Sequence, residues 1–119
     1  MSILSMVLTT LVALEFFYIM YLETIATTST TTSRVFNLPQ GELKKKSFKV
    51  LMKNQGIYNG LIGLGLLYSV YLSTASLELV RVFLVYIIIV AIYGSMTSDK
   101  KIIVTQGGLA IIALVSTVF

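Results

Sequence analysis

Apolar residues fall into four long stretches along the chain, separated by polar segments. The stretches cover roughly residues 3–26, 51–72, 77–96 and 102–119. A bilayer core about 30 Å thick needs about 20 apolar residues of helix, so each stretch fits a membrane-spanning helix. The pattern predicts one domain over residues 1–119, an all-α integral membrane protein with four transmembrane helices in a compact bundle.

The first stretch could be mistaken for a signal peptide, but its residues differ from that pattern. It has no basic n-region, it carries Glu15, and its Thr/Ser-rich end lacks a convincing cleavage site. We therefore expect a helix that is retained.

The connection over residues 27–50 is the only long one, and it ends in a basic segment. Lysines alternate there with apolar residues, which predicts an interfacial amphipathic segment that continues into the second span. We expect these lysines to attract anionic lipid headgroups, although they could equally serve only to orient the chain. The four lysines are Lys44, Lys45, Lys46 and Lys49.

The distribution of lysine and arginine predicts the orientation of the chain. The long connection, counted through Lys53, and the third connection together hold eight of these residues, whereas the other side has only Arg81. Because cytoplasmic loops carry an excess of basic residues, the long first loop is expected to be cytoplasmic and both termini outside.

Composition excludes several kinds of chemistry. The chain is 56% hydrophobic and 12% charged, whereas soluble domains carry about 25% charged residues. It contains no cysteine and no histidine, which rules out disulfides, thiol nucleophiles and imidazole acid–base catalysis. The net charge is +4, and most of the positive charges lie in loops between apolar spans. We therefore expect no nucleic-acid partner, and we expect neither a cofactor nor a metal.

Each predicted helix places a polar group in the cytoplasmic half of the membrane. At 1.5 Å per residue, Asn59 lies about 9 Å deep, and Tyr93 and Gln106 about 7–8 Å deep. Glu23 is expected near the interface, with Glu15 about 12 Å deeper. These groups predict a polar pocket that faces the cytoplasm. Its candidate residues are Glu15, Tyr18, Glu23, Asn54, Gln55, Tyr58, Asn59, Tyr93 and Gln106.

A strip of glycines lies beside the amides, at Gly56, Gly60 and Gly63. Small residues let another helix approach closely, so the strip is a candidate for packing within the chain or for a homodimer face. Glu15 is expected to face the protein, because a carboxylate in lipid is costly. It could be neutral and bonded to Asn59 or Tyr58, or ionised in a wet pocket.

Several segments resemble a known family. They are "VALEFFYIMYLE" (12–23), "RVFNLP" (34–39), "NQGIYNG" (54–60), "YG" (93–94) and "QGG" (106–108). They resemble, in order, segments of the bacterial family of unknown function numbered 1304, some members of which are labelled epimerase. The resemblance implies a four-helix protein of the bacterial plasma membrane with no activity to carry over. Members often have His where this chain has Phe16, so no histidine proton carrier is implied here.

Three functions remain open from the sequence. The leading hypothesis is a pocket that binds or transports a small molecule or ion, with transport requiring a dimer. The second is an accessory protein whose buried polar layer only fixes helix packing. The third is a membrane enzyme, for which the epimerase label has little support from the residues.

Overall fold

The computed structural model describes residues 1–119, except for the side chain of Ile102. The described chain is all-helical and contains no strand. Its helices are α1 (Ile3–Thr24), α2 (Thr30–Phe36), α3 (Gln40–Leu43), α4 (Lys46–Tyr71), α5 (Ser76–Thr97), α6 (Ile102–Thr105) and α7 (Gly108–Ser116).

The three longest helices correspond to the first three apolar stretches, but the fourth stretch is divided. Helices α6 and α7 are separated at Gln106 and Gly107. Glycines at 107 and 108 disfavour a continuous helix. A Cβ added to Gly107 would lie 3.1 Å from the Cβ of Ala91 on α5, so this position packs closely. With nine residues, α7 is about 14 Å long.

Two helices are long and apolar enough to cross a membrane, α1 and α5. Only 33% of the apolar window in α1 and 22% of that in α5 is buried, whereas an apolar core helix of a soluble protein is mostly buried. Helix α4 is long enough, at 26 residues, but the part from Lys46 to Asn59 carries three lysines and three side-chain amides. The two apolar helices are consistent with membrane association.

The long connection contains short helices that are attached to the end of α1. Ser29 caps α2, because its hydroxyl accepts a hydrogen bond from the Thr32 backbone N–H. The buried Thr32 hydroxyl donates in turn to the Ala26 carbonyl at 2.6 Å. Asn37 ends α2 in the left-handed conformation, with φ of 54°. These bonds give the connection a defined structure.

The chain divides into two compact units. Unit 1 comprises Met1–Leu14 and Leu64–Phe119, and unit 2 comprises Glu15–Gly63. In unit 1, the Arg81 guanidinium on α5 donates to the Thr117 carbonyl at 2.7 Å, just after α7. A cation at the carbonyl end of a helix is favourable, so Arg81 holds the end of α7.

In unit 2, the glycines of α4 pack against the last turns of α1. A Cβ added to Gly56 would clash with the Thr24 methyl group and lie 3.3 Å from the Met20 carbonyl oxygen. A Cβ added to Gly60 would meet mainly the flexible end of the Met20 side chain. The Thr24 hydroxyl donates to the Met20 carbonyl at 2.6 Å, so its methyl group is fixed in place.

These two environments predict different costs for the same substitution. Gly56→Ala should lower the free energy of unfolding by about 1–3 kcal/mol, because backbone and a fixed methyl group leave no room. Gly60→Ala should cause no net loss, because Met20 can rotate away and alanine favours the helix by about 1 kcal/mol. Unfolding in mixed micelles, followed by circular dichroism, measures both. Equal losses would contradict this account of the packing.

Candidate functional site

A carboxylate and an amide from two helices form a buried pair in unit 2. Glu23 on α1 is only 4% exposed. Asn59 on α4 donates through Nδ2 to Glu23 Oε1 at 2.6 Å. Side-chain hydrogen bonds between helices stabilise association where water is excluded, so this pair links α1 to α4.

The partner of Asn59 differs from the one expected for a neutral Glu15. Asn59 bonds to Glu23, which lies two turns closer to the C-terminal end of α1. The glycine contacts explain this register, because Gly56 packs against residues 20–24 of α1. That packing places the next turn of α4, and with it Asn59, beside Glu23.

Glu15 is left with a buried oxygen that makes no hydrogen bond to any residue the structure describes. The residue as a whole is half-buried. A carboxylate oxygen is a strong acceptor, and burying it unpaired costs free energy. A proton, a cation or a donor group on a small molecule could complete it.

A lysine and a threonine donate hydrogen bonds to backbone carbonyl groups at the end of α1. Lys53 donates through Nζ to the Thr24 carbonyl at 2.7 Å, and Thr27 donates through Oγ1 to the Glu23 carbonyl at 2.7 Å. A lysine at the last carbonyls of a helix interacts favourably with the helix dipole. Lys53 therefore supports the end of the helix that carries Glu23.

Several of the predicted pocket residues lie on exposed surface. Tyr58 is 67% exposed and Tyr18 is 49% exposed. Asn54 and Gln55, on the same face of α4 as Tyr58, are exposed as well. None of these four side chains forms a hydrogen bond with Glu23 or Asn59 in the part of the chain that the structure describes.

The other two predicted residues belong to unit 1. Tyr93 on α5 is 68% exposed. Gln106 is half-buried in the turn between α6 and α7. All three glycines of the predicted strip are buried, namely Gly56, Gly60 and Gly63.

Unit 1 contains a buried hydroxyl cluster that was not predicted. Ser5 is 1% exposed and lies 2.9 Å from the Ser116 hydroxyl of α7. Thr9, one turn after Ser5 on α1, is fully buried, and its hydroxyl makes no hydrogen bond within the described residues. The sequence could have indicated this cluster, because the four-residue spacing of Ser5 and Thr9 places both hydroxyl groups on one helix face.

The described residues contain no group of three or more acidic, histidine or cysteine side chains that could hold a metal ion.

The fold is that of a small all-helical protein in which two helices are long and apolar enough to cross a membrane and one glutamate, Glu23, is buried. Residues 10–118 match the family described as "Protein of unknown function (DUF1304)", and the chain belongs to this family. The resemblance noted in the sequence is thus confirmed. The chain is 66% identical to "Uncharacterized protein YpaA" of Lactococcus lactis subsp. lactis (strain IL1403), over the full length of both proteins. No solved structure matches it.

The buried pair predicts a measurable coupling between α1 and α4. Asn59→Ala should lower the free energy of unfolding by about 1–3 kcal/mol, because Glu23 Oε1 loses its donor while staying buried. Asn54→Ala is the matched control, since it removes an exposed amide from the same helix. Unfolding in mixed micelles measures both.

A double-mutant cycle with Glu23→Ala isolates the pair. The loss caused by Asn59→Ala should be much smaller when Glu23 is already absent. Fully additive losses would show that the two side chains do not stabilise each other.

Proposed function

We propose that this protein is a multi-pass protein of the bacterial plasma membrane in which Glu15 binds a small molecule or ion from the cytoplasmic side. The unpaired buried oxygen of Glu15 carries the proposal. The proposed activity is binding or transport, and Glu15 is the charged group of the binding site.

Membrane insertion is supported by where the apolar side chains lie. Ile3 is 79% exposed, and Val82 and Ile89 on α5 are 61% and 60% exposed. Soluble monomers rarely expose large contiguous apolar patches, whereas lipid covers them at no cost. The basic residues of the long connection then orient that connection toward the cytoplasm.

The assignment of Glu15 is supported by the different surroundings of the two glutamates. Glu23 has a short hydrogen bond from Asn59, which accounts for its burial. Glu15 has an oxygen with no such partner among the described residues. Ionisable residues within membrane helices are costly and commonly mark ion or substrate sites. Glu15 therefore fits a binding role better than Glu23 does.

A structural role is the second candidate, and the Glu23–Asn59 bond favours it. A buried amide–carboxyl pair beside close-packed glycines fixes the register of two helices. In that case the segment "NQGIYNG" (54–60) would serve only to pack α4 against α1.

An epimerase has less support. Two-base epimerisation needs bases on opposite sides of one carbon, and Glu15 and Glu23 are about 12 Å apart along α1. Glu23 is also occupied by Asn59. A homodimer stays a prediction, and its interface would lie away from Gly56 and Gly60, because both pack within the chain.

The binding proposal predicts that Glu15 titrates and responds to ligands. Infrared difference spectra of the protein in lipid nanodiscs should show a carboxyl band that is absent in Glu15→Gln. The band should change reversibly with pH and shift when sodium or an organic cation such as tetraphenylphosphonium is added. Glu23→Gln is the control, and it should retain the titrating band.

A Glu15 band that stays protonated at every pH at which the protein remains folded, and that ignores both cations, would contradict the proposal. The structural role would then account for the polar residues.

The topology can be tested with single cysteines, because the natural chain has none. Thr74 and Ser98 lie in the two short connections and are exposed. A membrane-impermeant maleimide should label Thr74→Cys in intact cells, and Ser98→Cys only after the cells are opened. The reverse pattern would contradict the orientation, and labelling of both in intact cells would contradict separation of the two connections by the membrane.

A further inference from the structure

A groove lies on unit 2 where the basic segment meets α4. Its volume is about 840 Å³, and its lining residues define what we call the basic groove: Lys45, Lys46, Ser47, Val50 and Leu51. It is separate from Glu15 and from the Glu23–Asn59 pair, since none of those residues lines it.

The charge of the basic groove favours an anion. Four lysines and one glutamate lie between residues 42 and 49, so this segment carries a net charge of +3. Glu42 is held by Lys45, at 2.7 Å between Oε1 and Nζ. Lys46 is exposed and is one of the residues that line the groove, so an anionic group at the edge of the groove would lie near its charge.

The remainder of the groove is apolar. Val50 is 50% exposed and Leu51 is 65% exposed. They follow Lys46 and Ser47 by one helical turn on the same face of α4. Lys46 and Ser47 therefore lie about 6 Å along the helix from Val50 and Leu51, and the surface that lines the groove is mainly apolar. A ligand that fits it needs an anionic group joined to an apolar chain.

We propose that the basic groove binds an anionic phospholipid, with its phosphate at Lys46 and Ser47 and an acyl chain along Val50 and Leu51. A free phosphate or a nucleic acid would leave the apolar half of the groove uncovered. The proposal rests on the membrane placement proposed above, but it does not require Glu15 to bind anything.

Native mass spectrometry of the detergent-purified chain can measure this binding. The protein is titrated with phosphatidylglycerol and, separately, with phosphatidylcholine of the same acyl chains. The wild type should bind phosphatidylglycerol more tightly. Lys46→Gln should raise its Kd about fivefold, as expected for one lysine near an anionic headgroup. Lys100→Gln, which removes the same charge from another loop, should leave the Kd unchanged.

Two further measurements test the apolar half and the independence of the site. Leu51→Ala should weaken binding of the intact lipid, and the water-soluble headgroup glycerophosphoglycerol should not compete. Glu15→Gln should bind phosphatidylglycerol with the same Kd as the wild type. That result would show that lipid binding at the basic groove does not depend on the proposed ligand site at Glu15.

Equal affinity for the two lipids would overturn the proposal. So would equal losses in Lys46→Gln and Lys100→Gln, which would indicate diffuse attraction to total charge. Competition by the soluble headgroup would show that the groove holds a free anion instead. A chain that stays monodisperse without detergent would overturn the membrane placement itself.

Discussion

The close packing of Gly56 and Gly60 on α4 against the last turns of α1 is the contact on which the buried Asn59–Glu23 hydrogen bond depends. A carboxyl group that is almost fully buried is costly unless a donor reaches it. Asn59 reaches it because Gly56 and Gly60 have no side chains to keep the helices apart. The segment "NQGIYNG" therefore has a packing face, formed by its glycines and Asn59, and an exposed face with Asn54, Gln55 and Tyr58.

The same register explains why the two glutamates of α1 differ. Once Asn59 is opposite Glu23, it is two turns away from Glu15. The described part of the protein then offers Glu15 Oε1 no partner. One packing arrangement thus gives Glu23 a structural role and leaves Glu15 as the candidate binding residue. The helical rise keeps the two residues about 12 Å apart along α1.

Basic residues have three distinct roles in this chain. Lys53 and Arg81 each donate to a carbonyl at the end of a helix, α1 in the first case and α7 in the second. Lys45 pairs with Glu42 on an exposed surface, where such a pair contributes little to stability. Lys46 lines a groove with an apolar half. The contacts of Lys53 and Arg81 with helix ends are structural, whereas Lys46 lies at the surface for which we propose a ligand.

The sequence by itself determined the helical class, the three long helices and the family, because long apolar runs and the motif segments depend only on local residue order. It also singled out Glu15, Glu23 and Asn59 as polar groups in unusual surroundings. Only the tertiary structure decided that Asn59 bonds to Glu23 and that Tyr58 is exposed, because partner choice depends on helix register and rotation. The break at Gly107 and the hydroxyl contact of Ser5 with Ser116 likewise depend on packing between segments distant in the chain. Hydrophobic periodicity within one helix carries no information about such packing.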